Sequence, residues 1–130
     1  MPTLQIAFIP LARPTFDVPL AQQVTETARQ LLQEADFALS GPADLVMDLA
    51  AAETAAQQVA ASEPDLLLIF QASFADSTMV AHLAAATDAP LLLWAVPEKP
   101  TGGRLRLNSL CGVNLAGHAL TLRDRKYAYA

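Results

Sequence analysis

The chain alternates short, almost wholly apolar runs with longer stretches in which apolar residues recur every three or four positions. Leu4-Gln5-Ile6-Ala7-Phe8-Ile9, closed by Pro10, and Leu66-Leu67-Leu68-Ile69-Phe70 are too short for buried helices and read as strands covered on both faces. Pro90-Leu91-Leu92-Leu93-Trp94-Ala95-Val96 reads the same way, and Phe37-Ala38-Leu39 is a weaker strand ended by Ser40-Gly41-Pro42. Between the first two strands, Leu20, Val24, Ala28, Leu31, Leu32 and Ala35 step at helical spacing with polar residues opposite. Asp17 supplies the N-cap of that helix, and Pro19 sits in its first turn, where a missing N–H is harmless. An alanine-rich helix is predicted at about residues 49–61 behind Asp48, and a short one behind Asp76 or Ser77 through Ala86. Residues 97–107 form a loop, and Asn108 or Ser109 caps a last helix to about Arg123.

Strand and helix therefore alternate four times with short links. Right-handed β-α-β units follow, giving an α/β fold: a three-layer, flavodoxin-like parallel sheet of four to five strands with helices on both faces. The expected strand order is 2-1-3-4, with a fifth strand if Tyr127-Ala128-Tyr129 extends.

Composition adds exclusions. The 130 residues are expected to make a single α/β domain, 1–130. Hydrophobic residues are 53% and charged residues 16%, which is incompatible with disorder. No apolar run approaches the roughly 18–20 residues of a membrane span, and Met1-Pro2-Thr3-Leu4-Gln5 lacks the basic start of a signal peptide, so a cytoplasmic protein is expected. The single cysteine, Cys111, reads as buried and inert, because His118 lies seven residues and about 10 Å further along the helix. His82 and His118 lack the paired spacing of a metal site.

The net charge of −5 is unevenly placed. Twelve acids and two bases, Arg13 and Arg29, precede Lys99, whereas the segment from Lys99 onward holds six bases and one acid, Asp124. That segment is expected to meet an acidic neighbour in another subunit or domain. Arg104, Arg106, Arg123, Arg125 and Lys126 lack the interleaved aromatic residues of a nucleic-acid surface, and no nucleic-acid partner is expected.

Ligands in such folds sit beyond the carboxyl ends of the strands. Arg13, just after the first strand and stiffened by Pro14, is placed to fork onto a carboxylate, a phosphate or paired hydroxyls, unless it pairs with Asp17. Gln71, Ser73 and Phe74 at the end of the third strand offer the polar groups and flat apolar face that suit a sugar, unless Phe74 packs down and Ser73 caps the next helix. Trp94 lies inside the fourth strand and reads first as core. Glu98 is a ligand or interface charge, and Asn108 and Ser109 open the last helix, where free N–H groups can hold an anion or simply be capped. A G-x-G-x-x-G motif and a P-loop are both missing, so a nucleotide site is not expected.

Three segments taken together are informative: Ala12-Arg13-Pro14-Thr15-Phe16-Asp17, Trp94-Ala95-Val96-Pro97-Glu98, and Arg106-Leu107-Asn108-Ser109-Leu110-Cys111-Gly112 with His118-Ala119-Leu120. In order and spacing they resemble the N-terminal region of the L-fucose/L-arabinose isomerase family. The likeness spans nearly the whole chain but only the first part of a family enzyme. It implies the N-terminal domain of a longer sugar isomerase that interconverts aldose and ketose through an enediol, with a divalent metal, usually manganese, polarising the substrate oxygens. The family's metal ligands and catalytic base have no counterparts here, so the chain is expected to hold no metal and to be inactive alone. By resemblance Arg13, Phe16 and Trp94 match substrate contacts, with Ser73, Asn108 and Ser109 added from the loop reading. The implied partners are a sugar substrate and the other domains and subunits of a homo-oligomer, with no membrane. Self-association through the Tyr127-Ala128-Tyr129-Ala130 tail and the basic segment is expected. The rival reading is a stand-alone small-ligand or regulatory module on the same fold; a thiol enzyme using Cys111 is a third.

Overall fold

The computed structural model describes residues 2–130. Five strands, β1 (Gln5–Leu11), β2 (Ala38–Ser40), β3 (Leu66–Gln71), β4 (Leu91–Ala95) and β5 (Ala128–Tyr129), form one parallel sheet in the order β2-β1-β3-β4-β5. The fifth strand exists, and the order extends the predicted 2-1-3-4. The links are α1 (Val18–Glu34), α2 (Leu49–Ser62), α3 (Ser77–Ala84) and α4 (Ser109–Leu122).

Strand alternation sorts the core into two layers. Ala7, Ile9, Leu67, Ile69, Leu91 and Leu93 face α2, α3 and α4. On the other side Ile6, Phe8, Leu68 and Phe70 face α1 alone. With a single helix there, Leu92, Trp94 and Val96 stay only half-buried.

Two local expectations change. Pro10 does not end β1; the strand runs on to Leu11. In a strand the N–H and C=O of one residue point to the same side, and the Pro10 carbonyl accepts from the Val46 amide at 2.8 Å. The missing N–H therefore faces the side where β2, which pairs only as far as Ala7, has already stopped, and no ladder bond is lost.

The buried stripe of α1 is also shifted. Ala21, Thr25 and Ala28 press on the sheet, Leu20, Val24 and Leu32 flank them, and Leu31 is exposed. Small residues let α1 approach closely; the larger ones close the sides. The helix starts as expected, with the Asp17 carboxylate accepting from the Leu20 amide at 3.0 Å. Asp48 and Asp76 cap α2 and α3 in the same way.

Gly41 follows β2 at φ 116°, and a Cβ there would lie 2.5 Å from the Phe8 carbonyl oxygen. Gly41→Ala is expected to destabilise the fold by about 2–3 kcal/mol through combined strain and backbone clash. Urea unfolding followed by circular dichroism measures this directly.

Candidate functional site

Three loops after β1, β3 and β4 meet at the carboxyl end of the sheet, and hydrogen bonds tie them together. The Ser73 hydroxyl accepts from the Arg13 amide at 3.0 Å, joining the first loop to the second. The Phe74 amide donates to the Leu107 carbonyl at 2.7 Å, joining the second to the third. The Asp17 amide donates to the Arg106 carbonyl at 3.0 Å, closing the ring of contacts.

The third loop is shaped by Glu98. Its carboxylate accepts from the backbone N–H groups of Arg106, Leu107 and Asn108, the last two at 2.9 and 2.8 Å. Partial burial pushes its acidity toward the neutral form, but these three donors outweigh it and hold the carboxyl below the usual glutamate range. The Glu98 side chain is thus an organiser of the chain around it, not a free charge. Asp17 pairs with Arg106 at 2.7 Å. The Leu20 amide, foremost, and the Arg106 guanidinium hold its carboxyl below the usual aspartate range.

On this scaffold cations and aromatic rings alternate. The Arg13 guanidinium lies 4.8 Å from the Phe74 ring centre, Phe74 packs against Phe16 at 5.9 Å between centroids, and the Arg104 guanidinium lies 5.2 Å over Phe16. Arg13 therefore does not pair with Asp17. Half-buried and braced by an aromatic face, it borders a cleft of about 640 Å³ between the β1–α1 loop and the starts of α2 and α3. Met47, Leu49 and Met79 supply apolar wall; Thr15, Asp48, Asp76 and Thr78 supply polar groups. The Thr78 amide and hydroxyl, followed by the nearby Arg13 charge, hold the Asp76 carboxyl below the usual aspartate range. Donors and carboxylate acceptors around an apolar floor are the arrangement a polyhydroxylated ligand requires.

The structure brings Arg13 and Phe16 together at this rim. Ser73 belongs to the same cluster, but it is fully buried and its hydroxyl is occupied by the Arg13 amide and the Phe74 carbonyl. It sets the position of Arg13 and does not cap α3. Ser109 is likewise buried: its hydroxyl donates to the Gln71 carbonyl and accepts from the Val96 amide, clamping α4 onto β3 and β4. Asn108 stands at the N-cap with φ 53° and no side-chain cap bond; its amide goes to Glu98. Gln71 is not at the rim. Its amide is buried against Gly112 of α4, with neither polar atom hydrogen-bonded.

Trp94 lies apart. It meets Phe70 edge-on at 5.0 Å and borders a groove of about 340 Å³ along Leu20, Val24, Ala28 and Leu31 of α1. Cys111 is exposed, contrary to its expected burial, because α4 turns Gly112, Val113 and Ala116 inward and Cys111 away. His82 and His118 are exposed on α3 and α4. Sequence reasoning puts Asp76 and Arg104 in loops at this end without singling either out, and it missed Asp48 there. The cap residues were legible, but no local pattern says which caps share a cleft.

Among the described residues no three His, Cys, Asp or Glu side chains cluster closely enough to hold a metal ion, and no helix is long and apolar enough to cross a membrane. The two carboxylates of the cleft, Asp48 and Asp76, are already committed to helix caps. These residues do not make the ligand set of a catalytic divalent ion.

The fold and the rim define the class: a flavodoxin-like α/β unit with a cleft bordered by Arg13 at the carboxyl end of its sheet. Comparison with known proteins narrows it. Residues 7–130 match the fucose/sulfoquinovose isomerase N-terminal domain, and the chain belongs to that family. It is 31% identical over 126 residues to a sulfoquinovose isomerase of Alkalicoccus urumqiensis, covering 97% of this chain and 28% of the relative. With a sulfoquinovose isomerase of Clostridium sp. (strain MSTE9) the identity is 31% over 131 residues, covering 99% and 29%. With that of Priestia aryabhattai it is 25% over 129 residues, covering 99% and 29%. The chain spans less than a third of the length of these curated relatives.

Since the Glu98 carboxyl is held below the usual glutamate range, its hold on the loop is complete at neutral pH. That hold is lost only as the pH falls through and below the ordinary glutamate value of about 4.3. An NMR titration of the Leu107 and Asn108 amides is expected to show a midpoint below that value. A midpoint at or above it contradicts the three-donor cradle. Glu98→Gln is expected to speed hydrogen exchange at these amides about tenfold.

Proposed function

We propose that this chain is the N-terminal domain of a longer aldose–ketose isomerase, and that its Arg13 cleft contributes substrate contacts while proton transfer takes place on residues of the remaining polypeptide. Membership in the isomerase N-terminal family, together with the convergence of Arg13, Phe74 and Phe16 on one rim, supports this reading. The substrate class is a sugar, and the relatives' name points to sulfoquinovose.

The chemistry of the rim suits such a molecule. A guanidinium presents a planar fork of donors that matches a sulfonate or two neighbouring hydroxyls. Its contact with Phe74 reduces the freedom it would otherwise lose on binding. Asp48 and Asp76 can accept from hydroxyl groups with the oxygens their caps leave unused. Phe16 offers a flat apolar surface to a ring's C–H face. Of the remaining assigned contacts, Ser73 and Ser109 act through the backbone they hold, Asn108 through its amide to Glu98, and Trp94 through the separate groove beside α1.

A divalent metal, manganese by family resemblance, would supply polarisation of the sugar oxygens in the complete enzyme. The described residues do not fit it, and its ligands are assigned to the rest of the polypeptide. A cytoplasmic location and a homo-oligomer of such chains belong to the same proposal.

In an isomerase polypeptide carrying this domain with its remaining domains, Arg13→Ala is expected to raise KM for sulfoquinovose by about 10- to 100-fold, the range of one lost charge-assisted contact. The kcat is expected to change by less than about threefold. An unchanged KM removes the Arg13 rim from the substrate site. The isolated 130-residue chain is expected to show no isomerisation in the same assay.

A further inference from the structure

We propose that Arg104 sets specificity at this rim: it takes the anionic substituent of the sugar, while the Arg13 cleft takes the hydroxyl-bearing end. This rests on the sugar-site reading and adds to it the orientation of the ligand and a residue that senses its charge.

Charge is unevenly shared along the rim. Among the described residues Arg13 alone supplies a cation to its cleft, against two carboxylates, Asp48 and Asp76. Hydroxyl groups find both a donor and acceptors there, whereas an anionic group entering the cleft meets repulsion from both acids. The third loop is the reverse. It holds Lys99, Arg104 and Arg106, and its one acid, Glu98, is engaged by backbone amides. Arg106 is committed to Asp17 through two of its nitrogens, at 2.7 and 2.9 Å. Lys99 borders a separate groove beside α1, with Leu20 and Val24. Arg104 has no ion-pair partner among the described residues.

Arg104 is nevertheless held in place. Gly102 turns the loop at φ 80°, a conformation that glycine adopts without a Cβ penalty. Two residues after Arg104, Arg106 is fixed to the first loop by its carbonyl and by its side chain. The Arg104 guanidinium thus rests over the Phe16 ring, 5.2 Å from its centre. Phe16 meets Phe74 at 5.9 Å, and Phe74 carries Arg13 at 4.8 Å. The two cations therefore flank a pair of half-buried rings. A sugar resting a C–H face on this pair has the cleft at one end and Arg104 at the other. A guanidinium stacked on a ring keeps its edge, with the N–H donors, free to fork onto a sulfonate. Repulsion in the cleft and attraction at Arg104 act in the same direction, so a sugar charged at one end is held one way round.

The test uses an isomerase polypeptide carrying this domain with its remaining domains. Sulfoquinovose is the substrate, and 6-deoxyglucose, its counterpart without the sulfonate, is a competitive inhibitor. Arg104→Ala is expected to raise KM for sulfoquinovose about tenfold, near the lower end for a hydrogen bond to a charged group, and to change the inhibition constant of 6-deoxyglucose by less than about twofold. Arg104→Lys is expected to recover most of the loss. In the unaltered enzyme KM for sulfoquinovose is expected to rise with sodium chloride through screening of an exposed cation, and that rise to flatten in Arg104→Ala. The salt dependence decides even where the uncharged sugar binds too weakly to measure. Arg13→Ala is expected to weaken both sugars alike. An unchanged KM or an unchanged salt dependence in Arg104→Ala overturns the proposal. So does an equal loss for both sugars in that variant, which would reduce Arg104 to packing on Phe16. A loss confined to sulfoquinovose in Arg13→Ala also overturns it, because the sulfonate would then lie on Arg13. Were Arg13→Ala to leave both sugars unaffected while Arg104→Ala still discriminates, the cleft reading would fall and the assignment of charge to Arg104 would stand.

Discussion

Three backbone amides converging on one carboxylate hold this molecule's working end together. Residues 97–107 contain two glycines and two prolines and have no regular secondary structure, so nothing within the segment alone fixes its path. Glu98 gathers the amides of Arg106, Leu107 and Asn108. The carbonyls of two of those residues then face outward, Leu107 to the Phe74 amide and Arg106 to the Asp17 amide. The positions of the aromatic rings, of the Asp17–Arg106 pair and, through Ser73, of Arg13 all follow from that cradle. A charge buried only in part is suited to this work. Burial opposes its ionisation, but the three donors together outweigh that cost, and the same shielding lets their hydrogen bonds matter.

The sheet was legible because its signals are local. Apolar runs of five or six residues between turn signals can hardly be anything but central strands, and Asp17, Asp48 and Asp76 mark helix starts through a bond only two or three residues long. Arg13 and Phe16 were legible as rim residues because fold class alone puts the loop after β1 there. The remainder depended on separations of tens of residues. That Arg104 would lie over Phe16, that Asp17 would find Arg106, and that Ser73 and Ser109 would turn inward to bind backbone are outcomes of loop closure. No periodicity encodes them. Cys111 was misplaced for a different reason: on a helix with no charged side chain, polarity cannot tell the inner face from the outer.

The family relation and the physical reading divide the function between them. The match over residues 7–130 identifies an isomerase N-terminal domain. On the reading proposed above, the donor set would orient a sugar and leave the bond changes to groups elsewhere. Its cleft offers a cation, hydroxyls and two carboxylates already engaged as caps, and none of these is poised as a base.

The sheet tapers from seven residues in β1 to three in β2 at one margin and two in β5 at the other. Long, flat outer strands offer unpaired amides and carbonyls on which further chains can stack into fibrils. Margins this short give such growth almost no template. The interior of the sheet can therefore be as rich in leucine and isoleucine as a stable core demands, without making the protein prone to amyloid.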